Sequence, residues 1–134
     1  MFTAENDNPH RAETVKTILI VEDNVLNMRL FDQVLIANGY RTILSTDGSD
    51  VLEIADKRRP DLIVMDIQLP TRSGLDLTRE LKANENLKHI PIIGVTAFAM
   101  KGDERKILET GCDDYMAKPI SVPAFLEMVA KQLS

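Results

Sequence analysis

The sequence predicts an α/β fold, a doubly wound five-stranded parallel sheet in the order 2-1-3-4-5 with five helices. Two observations support this prediction. Short apolar runs at 17–21, 61–65 and 91–96 contain few polar residues, which is typical of parallel strands buried on both faces. These runs alternate with longer stretches in which apolar residues recur at helical spacing. Such an alternation indicates repeated βα units.

Helix-ending residues set the bounds of the first two helices. The first should end at Asn38 and Gly39, a pair suited to a left-handed cap. Its apolar face is expected to consist of Val25, Met28, Leu30, Phe31, Val34 and Leu35. The second helix should run from about Gly48 to Arg59, because Pro60 cannot continue it.

Capping residues delimit the next two helices. Ser73 with Asp76 three residues later resembles a capping box, which places the third helix at about 74–83. The fourth helix should cover about 100–110 and close at Gly111.

The two remaining strands have weaker patterns, and we expect them at 41–45 and 113–117. Ser121 is a suitable N-cap for the last helix. The apolar face of that helix is expected to consist of Phe125, Leu126, Val129 and Leu133.

The bulk properties fit one small domain. The 134 residues suffice for a single core, and we expect a flexible polar tail at 1–15 before an ordered domain at 16–134. The net charge of −5 disfavours nucleic acid as a partner. Cys112 has no second cysteine to pair with, and the start of the chain lacks the apolar core of a signal peptide. We therefore expect a cytoplasmic protein without membrane insertion, present as a monomer or weak dimer.

Five polar residues fall where the predicted strands end. Glu22 and Asp23 follow the first strand, Asp66 follows the third, Thr96 ends the fourth and Lys118 follows the fifth. In the flavodoxin-like order 2-1-3-4-5, strands one and three are neighbours at the switch point, where ligands bind, so the three carboxylates should converge.

Three converging carboxylates need more positive charge than one lysine supplies. Each pair would repel by roughly 4 kcal/mol at 4 Å and an effective dielectric near 20, so a divalent cation is implied. Oxygen ligands without nearby His or Cys favour Mg²⁺ over zinc. Asp23 taken alone would more often be a helix cap than a metal ligand.

Four motifs in this order resemble the receiver (CheY-like) domain of bacterial two-component response regulators. They are VEDN at 21–24, MDIQLPTRSG at 65–74, VTA at 95–97 and KP at 118–119. The resemblance spans about 16–134, and the second half is similar in particular to the DivK-type cell-division regulators of alphaproteobacteria.

The resemblance implies a phosphoryl-transfer site. Asp66 would be the nucleophile and phosphoacceptor. Glu22, Asp23, Asp66 and the backbone carbonyl of Gln68 would hold Mg²⁺, with Glu22 standing where many receivers have Asp. Lys118 would pair with Asp66 before transfer and with the phosphoryl group afterwards.

The resemblance also implies a switch. Thr96 and the backbone N–H of Ala97 would bind phosphoryl oxygens, and Tyr115 would turn inward after Thr96 moves. Tyr115 taken alone would be a half-buried residue at a strand edge. The Lys118–Pro119 bond is cis in the family, which a sequence cannot reveal.

The implied function is that of a single-domain response regulator rather than a conventional turnover enzyme. It would accept phosphate from a histidine kinase and signal through phosphorylation-dependent protein binding in cell-cycle control. The implied partners are the kinases DivJ and PleC and the kinase-like DivL, which could recruit it to a cell pole.

Two alternatives remain at the sequence level. A phosphorelay intermediate would pass the phosphate to a histidine phosphotransfer protein from the same site. A flavodoxin-like cofactor binder would use the same topology, but EDNVLN at 22–27 is not a Ser-, Thr- or Gly-rich phosphate loop.

Overall fold

The structure is a computed structural model that describes residues 15–70, 72–97 and 103–134. Within these ranges it forms one five-stranded parallel sheet in the order β2-β1-β3-β4-β5. The strands are β1 Thr17–Val21, β2 Arg41–Ser45, β3 Leu62–Asp66, β4 Ile92–Thr96 and β5 Asp114–Ala117. The predicted fold class and strand order are therefore confirmed.

Five helices in the described residues cover the two faces of the sheet. They are α1 Val25–Ala37, α2 Val51–Arg58, α3 Gly74–Ala83, α4 Asp103–Glu109 and α5 Val122–Leu133. Helices α1 and α5 pack on one face, and α2, α3 and α4 pack on the other.

Each strand contributes to two apolar cores because successive side chains point to opposite faces. In β1, Ile18 and Ile20 face α1 and α5, whereas Leu19 and Val21 face the other three helices. All four side chains are fully buried. This burial on both faces explains why the strand sequence is continuously apolar.

The apolar face of α1 is narrower than the sequence predicts. Met28, Phe31 and Leu35 are buried, and the ring of Phe31 lies 5.0 Å from that of Phe125 on α5. Val25 and Leu30 were expected in this face, yet their exposed fractions are 65% and 36%. Val25 is the first residue of α1, and neither it nor Leu30 belongs to the apolar core that this helix shares with the sheet.

Helix α2 begins later than predicted, at Val51 instead of about Gly48. Gly48 has a φ of 82°, which an α-helix does not accommodate. Its N–H donates to Ser45 Oγ, and the Ser45 hydroxyl donates to Asp50 Oδ1 at 2.6 Å. These side-chain bonds hold a turn in place of the expected first helical turn.

The other predicted helix ends agree with the structure. Ser73 Oγ caps α3 by accepting the N–H of Leu75, and Ser121 Oγ accepts the N–H of Ala124 at the start of α5. The predicted start of the fourth helix, at about residue 100, lies outside the described residues, as do residues 1–14 of the predicted tail.

Within the described part of the chain, no helix has both the length and the apolar character required to cross a bilayer.

Gly74 allows the start of α3 to touch the end of β3. A Cβ at this position would lie 2.1 Å from the backbone oxygen of Asp66 and 2.8 Å from Cα of Ile67. Both neighbours are backbone atoms, so they cannot turn away as a flexible side chain could. The glycine therefore fixes the path of the loop that follows Asp66.

We expect Gly74→Ala to lower the free energy of unfolding by about 3 kcal/mol, because the backbone must shift to admit the methyl group. Gly39→Ala is the matched control. Its Cβ would meet no atom within 4 Å, although its φ of 90° still makes alanine unfavourable by about 1 kcal/mol. Urea unfolding measures both values, and a smaller loss for Gly74→Ala than for Gly39→Ala would contradict the close-approach argument.

Candidate functional site

The parallel sheet brings the carboxyl ends of its strands to one edge. Glu22 and Asp23 follow β1, Asp66 is the last residue of β3, Thr96 is the last of β4 and Lys118 follows β5. Strands β1 and β3 are paired with Val21 opposite Met65, so the residues that follow them lie side by side. The five residues predicted from the sequence therefore meet at this edge.

Three carboxylates form the centre of this site. One carboxylate oxygen from each of Glu22, Asp23 and Asp66 lies within 4.8 Å of the other two. Glu22 and Asp66 are nearly inaccessible, with exposed fractions of 1% and 2%, whereas Asp23 is exposed. Among these three acids, Asp23 is therefore the one that solvent reaches.

The local structure after β1 leaves Asp23 at this cluster. Asn24 is the N-cap of α1, and its Oδ1 accepts the N–H of Asn27 at 3.0 Å. Glu22 Oε2 accepts the N–H of Asn24 at 3.1 Å. The helix cap is therefore supplied by Asn24, and the capping role considered for Asp23 is wrong.

Lys118 faces two of the acids. Its Nζ lies 3.6 Å from Asp66 Oδ2, as the sequence predicts, but only 3.1 Å from Glu22 Oε1. The backbone N–H of Lys118 donates to the carbonyl of Thr96 at 2.8 Å, which places this residue directly beside β4. The Lys118–Pro119 peptide bond is cis.

The charges at the site are unbalanced. The pKa of the Glu22 carboxyl is raised from 4.5 to about 7. Burial is the largest cause and the neighbouring Asp66 adds to it, while the N–H of Asn24 and the ammonium of Lys118 lower the pKa in part. Glu22 Oε1 is buried and accepts no hydrogen bond from the described residues, although Lys118 lies near it. Clustered oxygen donors with an unsatisfied buried atom fit a bound cation.

Gln68 connects the third and fourth strands across this edge. Its backbone N–H donates to Asp66 Oδ1 at 2.9 Å. Its side-chain Nε2 donates to Thr96 Oγ1 at 2.8 Å, and its Oε1 accepts the N–H of Ala97 at 3.0 Å. The resemblance implied a role for its backbone carbonyl but not these side-chain bonds, since no local pattern reveals a partner 28 residues away.

Tyr115 lies on β5 and is half-buried beside α4. Its hydroxyl donates to a carboxylate oxygen of Glu104, and its ring packs against the core under α2, α3 and α4. Its hydroxyl is therefore held by α4 in this structure. The bond to Glu104 was not predicted, because it joins two elements that the sequence pattern treats separately.

Cys112 is not part of this site. It is 4% exposed, and its Sγ lies 3.8 Å from Thr78 Oγ1 on α3. Burial raises the pKa of its thiol, which disfavours the reactive thiolate.

Comparison with known proteins identifies relatives over most of the chain. Residues 18–130 match the response regulator receiver domain family. The polar-differentiation response regulators DivK of Brucella anthropi and Brucella ovis are each 54% identical to this chain over 118 residues, which is 88% of this chain and 96% of the relative.

Solved structures agree with this assignment. The receiver domain of the sensor histidine kinase PA1611 from Pseudomonas aeruginosa is 37% identical, with a TM-score of 0.82 over 90% of this chain and 98% of that one. That structure holds a magnesium ion in its active site cleft. The chemotaxis regulator CheY4 of Vibrio cholerae, 22% identical, shares the fold with a TM-score of 0.83 over 90% of this chain and all of that one.

The predicted resemblance is thereby confirmed, and the flavodoxin-like cofactor binder is not favoured. Three observations support the same family. The sheet has the order 2-1-3-4-5 and carries an acidic cluster and a lysine at its carboxyl edge. Residues 18–130 match the family, and the DivK relatives are 54% identical. The chain belongs to the response regulator receiver domain family.

Proposed function

We propose that Asp66 is the residue that accepts a phosphoryl group from a histidine kinase. The observation that carries this proposal is the convergence of Glu22, Asp23 and Asp66 within 4.8 Å, with Lys118 Nζ 3.6 Å from Asp66. Asp66 is the acid of this cluster that ends the central strand β3. It lies between the other two acids and the residues at the ends of β4 and β5.

In the proposed step, an oxygen of Asp66 attacks the phosphorus of a phosphohistidine. The P–N bond breaks, its electron pair stays on the histidine nitrogen, and an acyl phosphate forms on Asp66. Lys118 faces the same oxygen and would follow the charge from the carboxylate to the phosphoryl group. The backbone N–H of Gln68 orients the other oxygen of Asp66.

We further propose that this site binds Mg²⁺, which would be held by Glu22, Asp23, Asp66 and the backbone carbonyl of Gln68. The all-oxygen donor set and the magnesium ion in the PA1611 receiver support this identity. When bound, Mg²⁺ would neutralise the oxygens that gain charge during transfer.

Thr96 and Ala97 are proposed to report phosphorylation. The hydroxyl of Thr96 and the N–H of Ala97 lie at the end of β4, beside the proposed acceptor strand β3. Both can donate hydrogen bonds to phosphoryl oxygens. Tyr115, on the neighbouring strand β5, would then leave Glu104 and turn inward.

The proposed partners are histidine kinases of the DivJ and PleC type and the kinase-like DivL. Exposed apolar side chains at the start of α1, Val25 and Leu26, support docking of kinase helices there. The proposed output surface spans about 99–133, part of which lies outside the described residues. The polar-differentiation role in the name of the Brucella relatives supports cell-cycle control in the cytoplasm, with recruitment to a cell pole.

A relay role is the second candidate. The PA1611 neighbour is a receiver domain within a sensor histidine kinase, so closely similar domains also occur outside free-standing regulators. In a relay, the acyl phosphate on Asp66 would be transferred to a histidine phosphotransfer protein.

We expect Asp66→Asn to abolish Mg²⁺-dependent labelling by acetyl phosphate, because an amide oxygen is a poor nucleophile and forms no stable acyl phosphate. Intact-protein mass spectrometry detects the added phosphoryl group. Asp56→Asn, an exposed acid on α2, is the matched control and should label like the wild type. Labelling of Asp66→Asn at the wild-type level would refute the assignment.

Glu22→Gln should raise the melting temperature in metal-free buffer at a pH above about 7, where the Glu22 carboxyl is ionised despite its raised pKa. The substitution then removes one of three clustered negative charges. The same change should weaken Mg²⁺ binding by about tenfold or more, so Mg²⁺ will stabilise the variant less than the wild type. Glu53→Gln, at an exposed position of α2, is the control. An equal Mg²⁺-induced rise in wild type and Glu22→Gln would exclude Glu22 from the metal site.

Phosphotransfer profiling against the histidine kinases of the source organism should reveal rapid labelling by one or a few of them. For a switch that acts by protein binding, the label should persist when histidine phosphotransfer proteins are added. Rapid loss of label to one of those proteins would instead establish the relay role. Asp66→Asn serves as the unlabelled control in both experiments.

A further inference from the structure

The side chain of Gln68 already contacts both residues that would hold a phosphoryl group. Its carboxamide spans the end of β4, donating through Nε2 to Thr96 Oγ1 at 2.8 Å and accepting the N–H of Ala97 through Oε1 at 3.0 Å. Both distances are those of good hydrogen bonds. Thr96 is 2% exposed, so little water competes for its hydroxyl.

The Gln68 carboxamide and a phosphoryl group would compete for the same hydrogen-bond donor, the N–H of Ala97. Phosphoryl oxygens only accept hydrogen bonds, so they need N–H and O–H donors. The backbone of Ala97 has one hydrogen to donate, and Gln68 Oε1 accepts it. That hydrogen cannot be directed fully at two acceptors, so a phosphoryl oxygen must displace the carboxamide.

We propose that the Gln68 carboxamide is an intramolecular clamp that stabilises the unphosphorylated state and opposes phosphoryl binding. This inference rests on the proposed role of Thr96 and Ala97 as phosphoryl-binding groups. Phosphorylation of Asp66 releases the clamp, because charge-assisted bonds to a phosphoryl group are stronger than those to a neutral carboxamide. Gln68 is half-buried, so its released amide can reach water.

The backbone of Gln68 links the clamp to the acceptor. Its N–H donates to Asp66 Oδ1 at 2.9 Å, so one residue contacts the proposed acceptor with its backbone and the proposed sensors with its side chain. A clamp in the resting state lowers the apparent affinity for any phosphoryl mimic, because only the unclamped fraction can bind it fully. Substitution of the side chain removes the clamp and leaves the backbone contact in place.

The clamp can be measured without any phosphodonor. In ¹⁵N-labelled protein, amide hydrogen exchange at Ala97 should become about fivefold faster or more in Gln68→Met, because the N–H loses its acceptor. Gln68→Asn should behave similarly, since its shorter side chain does not reach Ala97. Asn86→Leu, which removes an exposed carboxamide in the loop after α3, should leave the exchange rate of Ala97 unchanged. Unchanged exchange in both Gln68 variants would overturn the clamp.

Beryllofluoride with Mg²⁺ tests the competition. Titration followed by NMR should yield about fivefold tighter binding for Gln68→Met and Gln68→Asn than for wild type and Asn86→Leu. Equal or weaker binding would overturn the proposal, since Gln68 would then be neutral or would support the phosphoryl group. If wild-type protein does not bind beryllofluoride, the proposed function fails instead, and the clamp is decided by amide exchange at Ala97 alone.

Discussion

Mutual repulsion among Glu22, Asp23 and Asp66 is the interaction on which the site depends. Two of these acids are almost completely buried, and among the described residues the ammonium group of Lys118 lies near them. Two like charges 4 Å apart repel by about 4 kcal/mol at an effective dielectric of 20, whereas a whole domain is stabilised by about 5–15 kcal/mol. Without a ligand, this repulsion lowers the stability of the folded protein. A bound cation would compensate for the repulsion by attracting the carboxylates.

The apolar sheet makes this arrangement possible. Strands β1 and β3 are buried on both faces, so their ends are held rigidly by two separate cores. Gly74 brings the first turn of α3 against the backbone of Asp66, which restricts the loop that carries Gln68. The repulsion is therefore balanced by packing in the layers below the edge of the sheet.

The proposed sensor residues are held by the side chains of two other residues. Gln68 bonds to Thr96 and Ala97, and Glu104 on α4 accepts the hydroxyl of Tyr115. Phosphorylation in the proposed mechanism would exchange the bonds of Gln68 for contacts with the phosphoryl group, and Tyr115 would leave Glu104. The resting state is then defined by specific hydrogen bonds as well as by the absence of phosphate. Partner selection by such a receiver would follow from which set of bonds is populated.

Chain order and local pattern determined the fold and the members of the site. Continuous apolar runs indicate buried parallel strands, and once the strand order is known, Asp66, Thr96 and Lys118 must come to one edge. The tertiary structure decided what depends on distances between remote segments. In the folded protein, Lys118 lies nearer to Glu22 than to Asp66, and Val25 is exposed. Helix α2 begins later than the sequence predicts because Ser45 bonds to Asp50, and the side chain of Gln68 bonds to Thr96 at the end of β4. These contacts have no local signature, because a side chain finds such a partner only after the sheet and its helices have packed.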